Sequence, residues 1–186
     1  MKILFFSDVH GITTNLQKLK ELDNTEKFDK IVCLGDLYYS GPSCENYFHV
    51  NSKKVLEFLT DLRDRLIVLR GNCDSDVDIK ASDFPICDNL SIICVDNLDL
   101  YLTHGNIFNI DNRRKFNHNG VLIYGHKHYP FIKKEDGVVF INVGSISLPK
   151  NDSKASYGIY QNKIFSLYNI DGYKIDSINL KKLSSN

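Results

Sequence analysis

The chain has 186 residues, enough for one domain with a substantial core, and its composition is 42% hydrophobic and 25% charged. Lysine plus arginine and aspartate plus glutamate number 23 each, so no net charge attracts nucleic acid or acidic membranes. This balance disfavours a general polyanion-binding protein, and we expect no strong nucleic-acid binding. A phosphate substrate is compatible with it, because bound metal ions can supply positive charge locally.

The cysteines and the apolar runs bear on the cellular compartment. The five cysteines are odd in number and form no C-x-x-C pair, which disfavours a disulfide framework and a zinc ribbon. A reducing, cytoplasmic location is therefore expected. The apolar run at residues 3–6 is too short for a signal-peptide core, and no run approaches the roughly 20 apolar residues of a membrane span. We expect no membrane association.

The first half of the chain alternates between predicted strands and predicted helices. Short apolar runs predict buried strands at residues 2–6, 31–34 and 66–69. Thr13 or Thr14 is predicted to cap a helix with leucines at positions 16, 19 and 22 on one face. Ser52 is predicted to cap a second helix with apolar residues at 55, 56, 59 and 62. This alternation predicts a mostly parallel sheet with right-handed crossovers.

The second half is predicted to be mainly β-structure. Short strands are predicted at residues 91–95, 99–103, 121–124, 138–142, 157–160 and 163–169. Turn residues at 135–137, 161–162 and 171–172 predict hairpins. We therefore expect a single domain over residues 1–186 with two facing sheets and flanking helices, and fraying of residues 181–186.

Seven potential metal ligands follow the ends of predicted strands: Asp8, His10, Asp36, Asn72, His104, His126 and His128. Carboxylate, imidazole and amide groups suit manganese, iron, nickel or zinc better than calcium. Only two of these ligands are anionic, so a centre with two divalent ions would stay positive and attract a phosphate. The pattern predicts a two-metal hydrolytic site, in which a hydroxide between the metals attacks phosphorus in line with the leaving oxygen.

The ligands lie in motifs that resemble those of the calcineurin-like metallophosphoesterase superfamily. The motifs are Asp8-x-His10, Gly35-Asp36, Gly71-Asn72-Cys73-Asp74, His104 and Gly125-His126-Lys127-His128, in the superfamily's order. Residues 71–78 and 103–105 resemble in particular the small stand-alone YfcE-like phosphodiesterases. The resemblance implies an α/β fold, a four-layer αββα sandwich of two facing mixed β-sheets flanked by helices.

The resemblance also implies roles for individual residues. A first metal ion would be held by Asp8, His10, Asp36 and His128. Asp36 would bridge to a second ion, held also by Asn72, His104 and His126. Manganese is the leading metal, with nickel, iron, zinc or magnesium as alternatives. Catalytic roles are implied for Asp36, Asn72, Cys73 and His104.

The chain departs from the superfamily pattern at several positions. Cys73 stands where many members have a histidine that assists the leaving group, and a thiol is a weak donor. We therefore expect modest assistance and a preference for diesters with acidic leaving groups. Residues 142–145 read Asn-Val-Gly-Ser in place of Asn-Pro-Gly-Ser. Arg70, Tyr38 and Tyr39 are candidate substrate-binding residues.

Two surface segments have alternative interpretations. Aromatic residues at 38–48 form either a loop packed on the second helix or a wall that stacks a base or an aryl group. The basic residues at 113–115 are either a solvated face or phosphate-orienting groups. The two interpretations of residues 38–48 are equally favoured, whereas a solvated helix face is the favoured interpretation of residues 113–115.

The favoured function is metal-dependent hydrolysis of a small-molecule phosphodiester. One alternative is a catalytically silent, Vps29-like protein-binding scaffold, which would lack phosphate-ester turnover and expose an apolar patch. A phosphomonoesterase, a phosphoprotein phosphatase, a nuclease and a dinucleotide polyphosphate hydrolase are further alternatives. A homo-oligomeric assembly is left open.

Overall fold

The computed structural model of the protein describes residues 1–39, 50–116 and 120–183, apart from the side chains of residues 113–115 and 182. The strands of this part are β1 Lys2–Phe6, β2 Lys30–Cys33, β3 Leu66–Leu69, β4 Ile86–Cys87, β5 Ser91–Val95, β6 Leu98–Leu102, β7 Gly120–Tyr124, β8 Pro130–Glu135, β9 Val138–Val143, β10 Ser156–Gln161, β11 Ile164–Asn169 and β12 Lys174–Asn179. The helices are α1 Leu16–Glu26, α2 Ser52–Asp61 and α3 Asp76–Ala81, with 3-10 helices at Ile110–Lys115 and Lys181–Leu183.

The strands form two mixed sheets. The first has the order β12-β11-β10-β1-β2-β3-β4 and the second the order β5-β6-β7-β9-β8. In the first sheet, β1 to β3 are parallel, as predicted from the alternating strands and helices, and β4 pairs with β3 in the same direction. Antiparallel pairs β10/β11, β11/β12 and β8/β9 confirm the three predicted hairpins.

The alternation of side chains along β1 shows how the layers are built. Ile3 and Phe5 point into the core between the two sheets, whereas Leu4 and Phe6 point into the core under the helices. The strand is therefore apolar on both faces, which explains why its sequence is a continuous apolar run. The same division holds for β2, where Val32 faces the other sheet.

The outer face of the second sheet has its own apolar cover. Leu122, Tyr124 and Phe140 pack there with Phe116 and the partly buried Ile110. In the described residues this fourth layer consists of the 3-10 helix and adjoining loops rather than a long α-helix. The predicted sandwich of two facing sheets is confirmed. Each helix in the described part of the chain is too short or too polar to cross a bilayer.

The predicted helix caps are wrong by one or two residues. The N-cap of α1 is Asn15, whose side-chain amide donates to the carbonyl of Ile146 at 2.7 Å instead of capping the helix. The N-cap of α2 is Asn51, which accepts from the amide of Lys54. The hydroxyl of Ser52 is used in a tertiary hydrogen bond, so a neighbouring asparagine takes the capping position.

Among the described elements, α3, β4, β8, β12 and the two 3-10 helices were not predicted. Helix α3 has a capping box formed by Ser75 and Asp78 but no buried residue, so it lacks an apolar period. Strand β12 is exposed along most of its length, and β8 carries the charged pair at 133–134. Edge and surface elements of this kind leave a weak hydrophobic pattern in the sequence.

Gly158 in β10 leaves no room for a side chain, because the ring of Phe165 packs against it. A methyl group at this position would lie 2.6 Å from Cζ of Phe165, whose ring is fully buried against Phe5. We expect Gly158→Ala to lower the free energy of unfolding by about 1–3 kcal/mol, because the ring must shift in a packed core. Phe165→Leu should lower the free energy of unfolding less in the Gly158→Ala background than in the wild-type chain. Urea denaturation measures both effects, and purely additive losses would contradict the assigned clash.

Candidate metal centre

The candidate ligands converge because they follow neighbouring parallel strands. Asp8 and His10 follow β1, and Asp36 follows β2, its parallel neighbour in the first sheet. In the second sheet, His104 follows β6 and His128 follows β7, which is parallel to β6. Carboxyl ends of parallel strands meet at one edge of a sheet, so the loops after all of these strands face one another.

Three predicted ligands form a compact group at this edge. Oδ1 of Asp8 lies 3.2 Å from Nε2 of His128 and 3.9 Å from Nε2 of His10. The two histidine Nε2 atoms are 3.4 Å apart. All three side chains are buried, and their donor atoms lie within 4.8 Å of one another. Such a group could hold one cation.

Asp36 joins this group to a second set of donors. Its Oδ2 lies 3.6 Å from Nε2 of His10 and 3.3 Å from Nε2 of His104. The side-chain oxygen of Asn72 is 3.1 Å from the same nitrogen of His104. The ring of His126 packs against that of His104 with centroids 5.1 Å apart, outside the tight donor groups of the described residues.

Three of the histidines are held in the tautomer that a metal requires. In each ring, Nδ1 lies at hydrogen-bond distance from a backbone carbonyl oxygen, so it carries the hydrogen and Nε2 faces the other donors. The pairs are His10 with Tyr39 at 2.7 Å, His104 with Leu34 at 2.8 Å and His128 with Leu148 at 2.7 Å. The carbonyls thereby orient the lone pairs toward the candidate metal positions.

The backbone at the candidate ligands is strained. Positive φ angles between 53° and 62° occur at Asp8, His10, Asp36, His126 and His128. For residues with a Cβ this left-handed conformation costs roughly 1–2 kcal/mol each, and it persists only where surrounding contacts enforce it. The sequence signals these turns only through the adjacent glycines.

Asp74 supplies one of the enforcing contacts. Its buried carboxylate accepts hydrogen bonds from the backbone amides of Asp36 at 2.9 Å, Leu37 at 2.7 Å and Gly71 at 2.8 Å. A Cβ at Gly71 would collide with Asp36, so the two loops can approach only because residue 71 has no side chain. The sequence predicted no role for Asp74, although this residue ends the Gly71-Asn72-Cys73-Asp74 motif.

Asn142, near the end of β9, and Ser145, just after it, hold the other loops in place. The amide of Asn142 donates to the carbonyl of Gly125, and its side-chain oxygen accepts from Gly144. The hydroxyl of Ser145 donates to the carbonyl of Asp8 at 2.8 Å. The Asn-Val-Gly-Ser segment therefore connects the loops after β1 and β7, a function that sequence reasoning missed because neither residue is a candidate ligand.

The electrostatics favour a cation. Burial opposes ionisation of Asp8 and Asp36, but adjacent histidines outweigh it and lower the pKa of both carboxyl groups. Oδ1 of Asp8 is buried and accepts no hydrogen bond from any residue in the described part of the chain. An ionised, buried oxygen without such a bond, facing several Nε2 atoms, is a donor set that fits a divalent cation.

The two histidines of the second set differ in protonation. Burial lowers the pKa of His104, but its hydrogen bond to Asp36 and the charges of Asp8 and Asp36 raise it to about 9. Burial and the charge of His104 lower the pKa of His126. In the absence of metal, His104 therefore carries a second proton at neutral pH and His126 does not.

Cys73 lies beside the donors as a protonated thiol. Its backbone amide donates to Oδ1 of Asp36 at 2.8 Å. Burial and the charge of Asp36 raise the pKa of the thiol to about 12. Its sulfur lies within 4.8 Å of donor atoms of His10 and Asp36. The group therefore faces the centre as a weak hydrogen-bond donor rather than as a thiolate.

The predicted substrate-binding residues occupy different positions. Arg70 donates to the carbonyl of Asp74 at 3.1 Å and to Asp76 at 2.8 Å, which ties it to the loop before α3. Tyr38 is buried and Tyr39 is 53% exposed. The remaining aromatic positions of the 38–48 segment, and the side chains at 113–115, lie outside the described residues.

Carboxylate, imidazole and amide donors that converge at strand ends form the kind of ligand set that metal-dependent hydrolases use. The profile of the calcineurin-like phosphoesterase superfamily domain matches residues 1–163, and the chain belongs to this superfamily. Membership implies divalent metal ions, for which the donor groups described above are candidates.

Individual relatives agree with this assignment. Phosphodiesterase YfcE of Escherichia coli K12 is 34% identical over 175 residues, covering 94% of this chain and 95% of that protein. The solved structure of the E. coli phosphoesterase Yfce matches with a TM-score of 0.89, covering 97% of this chain and 100% of that one. Zinc-bound Vps29 of Entamoeba histolytica shares the fold with a TM-score of 0.66 at 20% identity, over 97% of this chain and 100% of that one. The predicted superfamily and the predicted hydrolase class are confirmed.

The raised pKa of His104 predicts that metal binding tightens as the pH rises toward about 9. Below that pKa a cation must displace the proton from Nε2, and above it no proton is displaced. Titration calorimetry of Mn²⁺ in buffers with different ionisation enthalpies measures the protons released. His104→Gln should remove the part of this release that comes from residue 104, whereas His126→Gln should weaken binding and retain that part. Equal proton release by the two variants would contradict the assignment.

Proposed function

We propose that this chain is a metal-dependent phosphodiesterase that hydrolyses small-molecule substrates. The observation that carries the proposal is the position of Asp36, whose Oδ2 lies 3.6 Å from His10 and 3.3 Å from His104. A carboxylate that lies between two groups of donor atoms, one with Asp8 and one with His104, suits a pair of cations. The similarity to a phosphodiesterase over nearly the whole chain supports the diester as substrate.

The proposed ligand sets follow the two donor groups. Asp8, His10, His128 and Asp36 would hold the first ion, and Asp36 would also belong to the second set. Asn72, His104 and His126 complete the second set. When bound, the ions supply an activated water and positive charge against the phosphoryl oxygens. Manganese is the proposed metal, as the resemblance to the superfamily implies, and the mixed imidazole, carboxylate and amide donors suit a first-row transition-metal ion better than calcium.

The residues of the chain then perform the remaining tasks. The carbonyls that accept from Nδ1 keep the imidazoles of His10, His104 and His128 aimed at the centre. Asp74 holds the loop of Asp36 in place through three backbone amides. The protonated thiol of Cys73 lies where it can donate weakly to an ester oxygen. These residues position reactants, and none of them forms a covalent bond to the substrate.

A Vps29-like scaffold is the less favoured function. The likeness to Vps29 concerns the fold alone. A protein-binding scaffold does not require ionised carboxylates buried among oriented imidazoles, which are costly to bury without a cation. Phosphomonoesterase and phosphoprotein phosphatase activities are not favoured by a specific observation.

The cellular setting is part of the proposal. We place the enzyme in the cytoplasm as one domain over residues 1–186. Four cysteines of the described residues are free thiols, namely Cys33, Cys73, Cys87 and Cys94, which supports a reducing compartment. Cys44 lies outside the described residues.

Asp36→Asn tests the shared carboxylate. We expect chelator-stripped protein to hydrolyse bis(p-nitrophenyl) phosphate after reconstitution with Mn²⁺, and Asp36→Asn to lower turnover by on the order of 100-fold or more. Asp64→Asn is the control, because its side chain is 97% exposed and should leave turnover unchanged. Assays of monoesters, cyclic nucleotides and dinucleotides, each with several metals, determine which substrate and which metal the enzyme prefers. Near-normal turnover by folded Asp36→Asn would contradict the bridging role.

Cys73→His tests the weak donor. Imidazolium is a stronger acid than a thiol whose pKa is raised to about 12, so protonation of the departing oxygen should improve. We expect turnover of diesters with poorly acidic alcohols to rise by on the order of 10-fold. Turnover of bis(p-nitrophenyl) phosphate, whose leaving group needs little assistance, should change much less. Unchanged rates on the poor leaving groups would exclude a role of residue 73 in their departure.

A further inference from the structure

A cavity of about 480 Å³ opens beside the metal centre. We propose that it binds the organic group of the substrate, and that this group is uncharged and planar, such as an aryl ring or a nucleobase. The inference rests on the proposed function, since it assigns a specificity site to the same reaction. It follows from the position of the cavity and from the walls and the charge that its described lining residues provide.

The position of the cavity connects it to the reaction. Cys73 lines the cavity, and its sulfur also lies within 4.8 Å of donor atoms of His10 and Asp36. A phosphoryl group held by the metal centre is therefore adjacent to the opening. The group esterified to that phosphorus can enter the cavity without displacing a metal ligand.

Two helices form the walls. Ser52 and Leu56, one turn apart, border the cavity from the beginning of α2. Asp78 and Ala81 border it from α3 together with the N-cap Ser75, and their spacing of three residues places them on one side of the helix. None of the residues of α3 is buried, so this side of the helix does not pack against the protein core and can contact a ligand.

The floor of the cavity is a neutral aromatic ring. Tyr38 is 8% exposed, and its hydroxyl is 2.8 Å from Oγ of Ser82, which fixes the ring beneath α3. Burial raises the pKa of Tyr38 to about 12, so the phenol stays protonated. Tyr39 adds a second, exposed ring at the border. Aromatic rings with apolar Leu56 suit stacking and contact with a flat apolar group.

The charges at the border disfavour a charged occupant. Oδ2 of Asp78 accepts from the amide of Ser75 at 2.9 Å and from its hydroxyl at 2.7 Å, so the carboxylate caps α3. Lys53 contributes one positive charge that balances this negative one. A charged group would lose hydration in the cavity without a matched set of partners. The volume lies in the range of about 300–1,000 Å³ that is usual for small-molecule sites.

The test compares two phosphonates that differ in one organic group. We measure the dissociation constants of phenylphosphonate and methylphosphonate by titration calorimetry on Mn²⁺-loaded protein. The wild-type chain should bind phenylphosphonate about 10-fold more tightly, through burial of the ring. Ala81→Leu fills the cavity and should reduce the ratio to about 2-fold or less, leaving methylphosphonate binding unchanged.

The matched control is Val77→Leu, which adds volume to the same helix. Val77 is 74% exposed and does not border the cavity, so the ratio of the wild-type chain should persist. Tyr39→Ala is a second test that removes an exposed ring and should reduce the ratio about 3-fold. Circular dichroism verifies that each variant is folded.

The outcomes separate this inference from the proposed function. A phenyl preference that survives both Ala81→Leu and Tyr39→Ala, or a wild-type ratio near 1, would overturn the cavity assignment while diester turnover stands. Absence of Mn²⁺-dependent diester turnover would overturn the proposed function. The phosphonate affinities are measured without turnover, so they judge the cavity in either case.

Discussion

Two buried carboxylates, Asp8 and Asp36, impose the constraint on which the rest of the site depends. Their exposed fractions are 0% and 2%, and they lie among histidines rather than lysines or arginines in the described structure. Carboxylates in such a position lose hydration and require a compensating positive charge. The proton on His104 meets part of this requirement in the absence of metal. A bound cation meets it more fully, because it interacts with both carboxylates at once.

The constraint explains the strained backbone. To aim side chains from different strands at one point, the chain adopts left-handed φ angles at candidate ligands such as Asp8 and His128. Each of these turns costs free energy, which the buried hydrogen bonds of Asp74 and Ser145 must offset. The two residues act from opposite sides, since one belongs to the loop after β3 and the other to the loop after β9. The site is thus held before any ion binds, which reduces the ordering cost of binding.

The sequence predicts what repeats or alternates, and it does not predict what depends on tertiary partners. Apolar runs identify β1 and β3, and the polar residues that follow them identify the candidate ligands. The role of Asp74 depends on which amides its loop meets, and no spacing in the sequence contains that information. The predicted cap Ser52 is wrong for the same reason, because its hydroxyl donates to the distant carbonyl of Tyr38. The observed N-cap of α1, Asn15, likewise uses its side chain to donate to the carbonyl of Ile146. Exposed elements such as α3 lack an apolar period and are visible only in the structure.

The zero net charge of the chain limits where attraction for an anionic substrate can come from. Because lysine plus arginine equals aspartate plus glutamate, the protein surface as a whole does not select an anionic substrate. In the proposed enzyme the attraction for phosphate would then come from the metal centre. All phosphate esters would be attracted in this way, so the centre would discriminate poorly among them. Discrimination requires a second feature that contacts the organic part. The cavity between α2 and α3 is adjacent to the centre, apolar on its floor and nearly neutral at its border. In the proposed enzyme the centre would supply the charge for the phosphate and the cavity the shape for the alcohol, and Cys73 is the residue at which the two meet.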